Sequence, residues 1–318
     1  MTFLVLTIIL FISEVIFIKV AKQFKVIDIS RENNVCLKET VRGGGIIFFL
    51  SMLCYYVYSD FRYSYFFLGL SIISLVSLMD DIKSLSVINR LFFHFLTIIL
   101  ILVQLDFSID STLFYICILV MGVGIINTYN FIDGINGITG GYSTVVIGGL
   151  WYVNNYHTKF IDINFIVFVL ISLQVFNFFN FRTKAICYAG DVGSISIAVI
   201  ILFLLLKLIL REQNLIYILF LSVYGVDSVL TIIHRLFLKE NIFKAHRLHL
   251  FQVIVHNLKI SHLLMSTIYM LLQGIICCIV IFNLQYSFIT QLVSGFSIII
   301  LLVTLYIITK RKAMALTV

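Results

Sequence analysis

The sequence predicts an all-α, polytopic membrane helix bundle, and three observations carry that expectation. Of 318 residues, 61% are hydrophobic and 12% charged, with a mean hydropathy of +1.12. A soluble domain is about a quarter charged and at most about half apolar, so this chain could not wet its own surface. Proline is absent, where usage of about 5% would give about sixteen. Apolar runs also recur along the whole length, and a spanning helix needs about 20 largely apolar residues. Disorder, collagen and coiled coil are excluded on composition alone.

Taken in order, the runs between polar breaks give about eleven candidate spans. They lie near residues 2–20, 44–59, 63–79, 91–105, 111–127, 138–153, 163–181, 192–210, 214–233, 262–283 and 287–309. The first lacks a basic start and a small-residue cleavage site and is too long for a signal core, so it reads as a retained span holding an unusual acid, Glu14. Only 21–43 and 234–261 are long enough to build structure outside the bilayer. With no soluble segment, low-complexity tract or repeat, residues 1–318 read as one transmembrane domain. The six cysteines form no CxxC pair and mostly sit in apolar runs, which fits small buried hydrophobes in a reducing context.

If the spans alternate, the loops at one face (21–43, 80–90, 128–137, 182–191, 234–261 and the tail) hold 17 of the 22 basic residues. The opposite face holds 3, namely Arg62, Lys159 and Arg211, and Lys19 and Lys207 can snorkel from span ends. Positive residues favour the cytoplasmic side, so the expected topology has the N-terminus outside and the C-terminus cytoplasmic. That asymmetry also accounts for the excess of basic over acidic residues, and nucleic acid is not an expected partner.

Four polar patches fall at span ends on the basic face. They are Asp80-Asp81 with Arg90; Asn127, Asn130 and Asp133 with Gly134 and Gly137; Gly190-Asp191-Val-Gly193-Ser194; and Asp227 with His246-Arg247-Leu-His249. Ionisable groups at membrane depth cost about 2.5–3.5 kcal/mol each, so their convergence argues for a site. Adjacent Asp80 and Asp81 diverge by about 100° on a helix and should divide labour. Asn127, Asn130 and Asp133 recur every third residue, roughly on one helical face. Asp191 beside glycines and a hydroxyl offers hard oxygen ligands suited to Mg²⁺, with Mn²⁺ as a substitute. Two histidines without cysteines support zinc poorly; His246, Arg247 and His249 read better as an anion-binding cluster. His94, His157, His234, His256 and His262 read as interfacial or structural. Carboxylates for a cation, cations for phosphates and amide–glycine loops at lipid depth fit a phosphorylated soluble donor meeting a lipid acceptor.

These motifs, in this order, resemble the polyprenyl-phosphate N-acetylhexosamine-1-phosphate transferases of bacterial envelope synthesis (glycosyltransferase family 4). The likeness runs through Arg42-Gly43-Gly44-Gly45, Asp80-Asp81, Asn130-x-x-Asp133-Gly, Gly190-Asp191-x-Gly193-Ser194 and His246-Arg-x-His249-x-x-Gln252. The stretch from Glu240 to His249 is most similar to the O-antigen-initiating, lipopolysaccharide branch. The resemblance implies a multi-pass protein of the bacterial inner membrane with its active site facing the cytoplasm. It implies attack by undecaprenyl phosphate on the β-phosphate of a UDP-N-acetyl sugar, giving undecaprenyl-diphosphate-sugar and UMP. Asp80 would act on the lipid phosphate with Asp81 in support, Asp191 would ligate Mg²⁺, and Asn127, Asn130, Asp133 and Asn180 would bind the donor with His246, Arg247 and His249. Direct displacement is the simpler course, since the lipid phosphate is already anionic and nucleophilic. A homodimer is compatible with the sequence. The chain departs from the family pattern at Ser30, Glu39 and Val41, where prolines are usual, and at Cys36, His94 and Asn136, where histidine, glutamine and a second aspartate are usual. A peptidoglycan or teichoic-acid transferase is the nearest alternative. A transporter or flippase would instead carry its polar residues near the midplane, with interrupted helices and often a repeated half.

Overall fold

The structure is a computed structural model that describes residues 2–32, 36–106, 112–241 and 247–315. Helix α1 (Thr2–Gln23) leads into a hairpin, β1 (Ile27–Glu32) and β2 (Cys36–Val41), paired antiparallel with Ile27 opposite Val41. Helices α2 (Ile46–Tyr58), α3 (Ser64–Ile82), α4 (Val87–Gln104), α5 (Thr112–Ile132), α6 (Ile138–Tyr156), α7 (Ile163–Asn180) and α8 (Gly190–Glu212) follow. A 3₁₀ segment, Leu215–Leu221, runs into α9 (Ser222–Phe237), and α10 (Leu250–Leu258), α11 (His262–Asn283) and α12 (Phe288–Ala315) complete the bundle. The hairpin is the departure from an all-helical reading, and it builds the first of the two long inter-span segments. The second carries the short α10.

Each of the eleven expected spans is helical. Among the described residues nine helices are long and apolar enough to cross a membrane, and the chain is a multi-pass membrane protein. The other two expected spans are α2 and α6. With 13 residues, α2 reaches only about 20 Å. Helix α6 is less apolar because its buried face carries Thr139, Gly140, Gly141 and Ser143 and meets α7 and α11. Small residues at that kind of face let helices pack closely where lipid provides no hydrophobic drive.

Helix α8 is the centre. Its run from Ile195 to Leu205 is buried on all sides and packs on α2, α3, α5 and α6, as expected for a helix that is apolar all round. Cross-bundle hydrogen bonds fix the neighbours, for example Ser74 to Ser196 (2.8 Å) and the Ser51 hydroxyl to the Phe168 carbonyl (2.7 Å). The irregular backbone before α9 is satisfied from within. Gln273 donates to the Leu219 carbonyl (2.9 Å) and accepts from the Val223 amide (3.2 Å) and the Tyr142 hydroxyl (2.7 Å). Unmet backbone groups at this depth would cost several kcal/mol each.

Several helices differ in extent from the sequence reading, and two of these differences, in α4 and α5, shape the site. Ser86 accepts from the Asn89 amide (3.3 Å) and starts α4 at Val87, which puts Arg90 in its first turn. Helix α5 runs on to Ile132, so Asn127 and Asn130 are helical and Asp133 stands just past the end.

Candidate active site

The site forms where the end of α3 meets the start of α8. Asp81 is fully buried, and its carboxylate accepts the backbone N–H groups of Asp191 (2.9 Å) and Val192 (3.0 Å). It therefore caps the N-terminus of α8, where negative charge is favoured. Arg42 closes the arrangement with Nε 2.6 Å from Asp81 and Nη2 3.1 Å from Asp191. Burial works against the Arg42 charge, but the two carboxylates outweigh it and raise its pKa. The packing leaves no room for side chains at the joint. Gly190 has φ +70°, and a Cβ there would meet Asp81 Oδ2 and the Gly43 backbone. A Cβ on Gly45 would overlap the Gly193 backbone.

Asp80 points the other way. Its carboxylate accepts from the Leu85 amide and from Arg90 Nη1 (3.2 Å), and Arg90 also lies 3.7 Å from Asp191. The carboxyl groups of Asp80 and Asp191 face each other within hydrogen-bonding reach. Two arginines thus bracket two facing carboxylates, with the third acid locked behind them. Among the described residues no three His, Cys, Asp or Glu side chains close around one point as a complete metal cage. Two hard carboxylates do fit a cation that takes its remaining ligands from water and phosphate, as Mg²⁺ does.

The loop after α5 forms the floor. Asp133 accepts from the Thr139 hydroxyl (2.6 Å). Burial pushes its carboxyl up to about 7, the charges of Asp191 and Asp81 add to this, and Thr139 and Arg42 oppose it. Gly137 holds φ +84°, a conformation natural to glycine. Asn180 ties this loop to the next, accepting from the Gly137 amide and donating to the Cys187 carbonyl, both at 2.8 Å. Asn136 does the same work, with its amide nitrogen 2.8 Å from the Arg182 carbonyl and 3.3 Å from that of Thr183.

Two cavities meet here. One, of about 910 Å³, is polar and lined by Arg42, Asp133, Asn180, Tyr188, Asp191 and Arg247, among others. The other, of about 650 Å³, is largely apolar and runs between α4, α5 and α9; Gly124 and Gly225 line it, and a Cβ on either would meet nothing within 4 Å. Asn130 lines both cavities, and Arg90 stands at the polar end of the apolar one.

The structure thus brings Asp80, Asp81, Asn130, Asp133, Asn180, Asp191 and Arg247 to one place. Asn127 lies on the wall of the apolar groove, as does His249, and His246 is outside the described residues. His249 is oriented by Asp227, whose Oδ1 accepts from its Nδ1 (3.3 Å) and from the Leu250 amide (2.9 Å), while Oδ2 accepts from Tyr269 (2.7 Å). His157 pairs with Glu212 (3.5 Å) away from the site. Of the histidines read as interfacial or structural, His256 and His262 line the polar cavity and His94 lines the groove. The arginine bracket was also missed, although Arg42 and Arg90 stand beside recognised motifs; nothing local shows that two basic residues 48 positions apart share one acid.

Known proteins bear on this geometry. A family model described as glycosyl transferase family 4 matches residues 63–209, a stretch that contains every one of the clustered acids. The phospho-N-acetylmuramoyl-pentapeptide-transferase of Dictyoglomus thermophilum is 27% identical over 238 residues, covering 69% of this chain and 74% of that protein. A Bacillus subtilis protein named "Probable undecaprenyl-phosphate N-acetylglucosaminyl 1-phosphate transferase" is 26% identical over 252 residues, covering 73% of this chain and 70% of its own length. With the motifs in order and their acids gathered at one end of the bundle, the chain is similar to glycosyl transferase family 4 over residues 63–209 and to these two sugar-phosphate transferases over most of its length.

Proposed function

We propose that this transferase moves an N-acetylhexosamine 1-phosphate from its UDP ester to undecaprenyl phosphate, releasing UMP and initiating an envelope polysaccharide of the O-antigen type. The observation that carries the reading is the pair of cavities meeting at Asn130, one polar and one apolar, beside the Arg42–Asp191–Arg90 bracket. A sugar nucleotide suits the first and an isoprenoid chain the second. A lipid phosphate oxygen attacks the β-phosphorus of the donor; the O–Pβ bond forms, and the bond to the α-phosphate breaks with its electron pair leaving on UMP. The protein's part is positioning and charge neutralisation, which dominate phosphoryl transfer. Asp80 orients the incoming lipid phosphate, Arg42 and Arg90 face the developing charge, and Asn130 and Asp133 hold the donor. Asp191, with Asp80 opposite, would hold Mg²⁺, which supplies neutralisation of the diphosphate when bound.

The basic residues on the site's side support a cytoplasmic face and an inner-membrane location. The two relatives differ in the sugar their names carry, so the decisive assay is a panel. Purified protein in detergent is expected to release UMP from a UDP-N-acetylhexosamine only when polyprenyl phosphate and Mg²⁺ are added. Release without lipid would overturn the reading, as would preference for UDP-N-acetylmuramoyl-pentapeptide over every UDP-N-acetylhexosamine.

A further inference from the structure

The basic run Arg247-Leu248-His249 does not face one cavity. Arg247 lines the polar cavity, whereas His249, two residues on, lines the apolar groove. The backbone between them is clamped: Lys310 of α12 donates to the Leu248 carbonyl (2.8 Å) and to the Tyr306 hydroxyl (2.5 Å). Tyr306 lies 3.0 Å from the Thr231 hydroxyl, which donates to Asp227 (3.2 Å). Helices α9, α11 and α12 therefore converge on Asp227, and Asp227 receives the Nδ1 proton of His249. A carboxylate on Nδ1 sets the tautomer and fixes the plane of the ring. The ring sits in the groove wall between Phe131 (6.4 Å between centroids) and Phe251 (6.0 Å). Asn127, Asn130 and Arg90 line the same groove toward the carboxylates.

We propose that this basic run is divided between the two substrates: Arg247 serves the sugar nucleotide, while His249, turned by the positioning residue Asp227, receives the phosphate of the polyprenyl acceptor at the polar end of the apolar groove. The inference rests on the reading of the two cavities given above. It departs from assigning the whole cluster to the donor, and it explains why a buried carboxylate is fixed by four partners so close to a lipid-facing wall. Asn130 and Arg90, shared with the reaction centre, then bring the acceptor phosphate to Asp80.

The test varies each substrate against the other with the full-length protein. His249→Gln is expected to raise KM for polyprenyl phosphate by about tenfold, as for loss of a hydrogen bond to a charged group, and to leave KM for the sugar nucleotide unchanged. Arg247→Gln should do the reverse, and Asp227→Asn should repeat the His249 pattern in weaker form. An increase in the sugar-nucleotide KM for His249→Gln would overturn the division. Binding of a polyprenyl phosphate in nanodiscs, without sugar nucleotide, separates this inference from the proposed function. If the wild type binds it and His249→Gln binds it about tenfold more weakly, while the phosphate-free polyprenol is bound equally by both, the inference stands even if no UDP-sugar reacts. An equal loss for the polyprenol marks His249 as structural and overturns it. Should His249→Gln fail to fold, Asp227→Asn carries the same lipid comparison, because it leaves the imidazole in the groove wall.

Discussion

Asp80, Asp81 and Asp191 lie within one hydrogen-bonded cluster, yet the structure gives them different work. Asp81 spends both oxygens on the α8 backbone and Arg42, whereas Asp191 keeps one oxygen toward Asp80 and Arg90. Asp191→Asn is therefore expected to abolish Mg²⁺-dependent UMP release while the protein still inserts and keeps its thermal midpoint. Near-normal turnover in that variant would sink the metal assignment. Asp133 gives a second expectation at this scale. An ordinary aspartate titrates near about 4, and this one titrates about 7 when folded. Between those values the folded chain holds a proton that the unfolded chain has released, so stability falls as pH rises through the window and levels off above it. In detergent without divalent cation, Asp133→Asn should flatten the fall in thermal midpoint between pH 5 and pH 7. An unchanged slope would mean that another group is responsible.

At the scale of elements, two neighbouring loops are joined to each other rather than to the helices alone. Asn180 links the loop after α5 to the loop before α8, and Asn136 repeats the link by donating to two carbonyls. The family pattern that the motifs resemble implies a second aspartate at Asn136, and an aspartate here would set a carboxylate against the carbonyls of Arg182 and Thr183. Asn136→Asp should therefore destabilise by about 1–3 kcal/mol, seen as a lower thermal midpoint in detergent and weaker sugar-nucleotide binding. Unchanged stability would show that the tie carries no weight. The departure at Asn136 was plain in the sequence, but its meaning needed the partner carbonyls, which come from a segment 46 residues away.

For the whole molecule, the charge asymmetry and the site agree. The polar cavity is lined largely from loops on the face that holds 17 of the 22 basic residues. A reporter fused after Asn155 is expected to read as external and one after Lys244 as cytosolic; the opposite pattern would invert the proposed face. Helix α8 organises the bundle because it is apolar on every side, and at its start Gly45 and Gly193 let two backbones touch.

The helices, their order and the acids at their ends follow from the sequence, because hydrophobic run length and the expense of a buried charge act locally along the chain. The motifs were legible for the same reason, each lying within a few residues of a span end. What the tertiary structure alone decided is partnership: that Arg42 and Arg90 bracket Asp191, that Asp81 caps a helix 110 residues away, and that Arg247 and His249 face different cavities. Such pairings depend on how the helices pack across the bundle, and packing in a membrane is set by small-residue contacts and buried hydrogen bonds that carry no periodic signature in one chain.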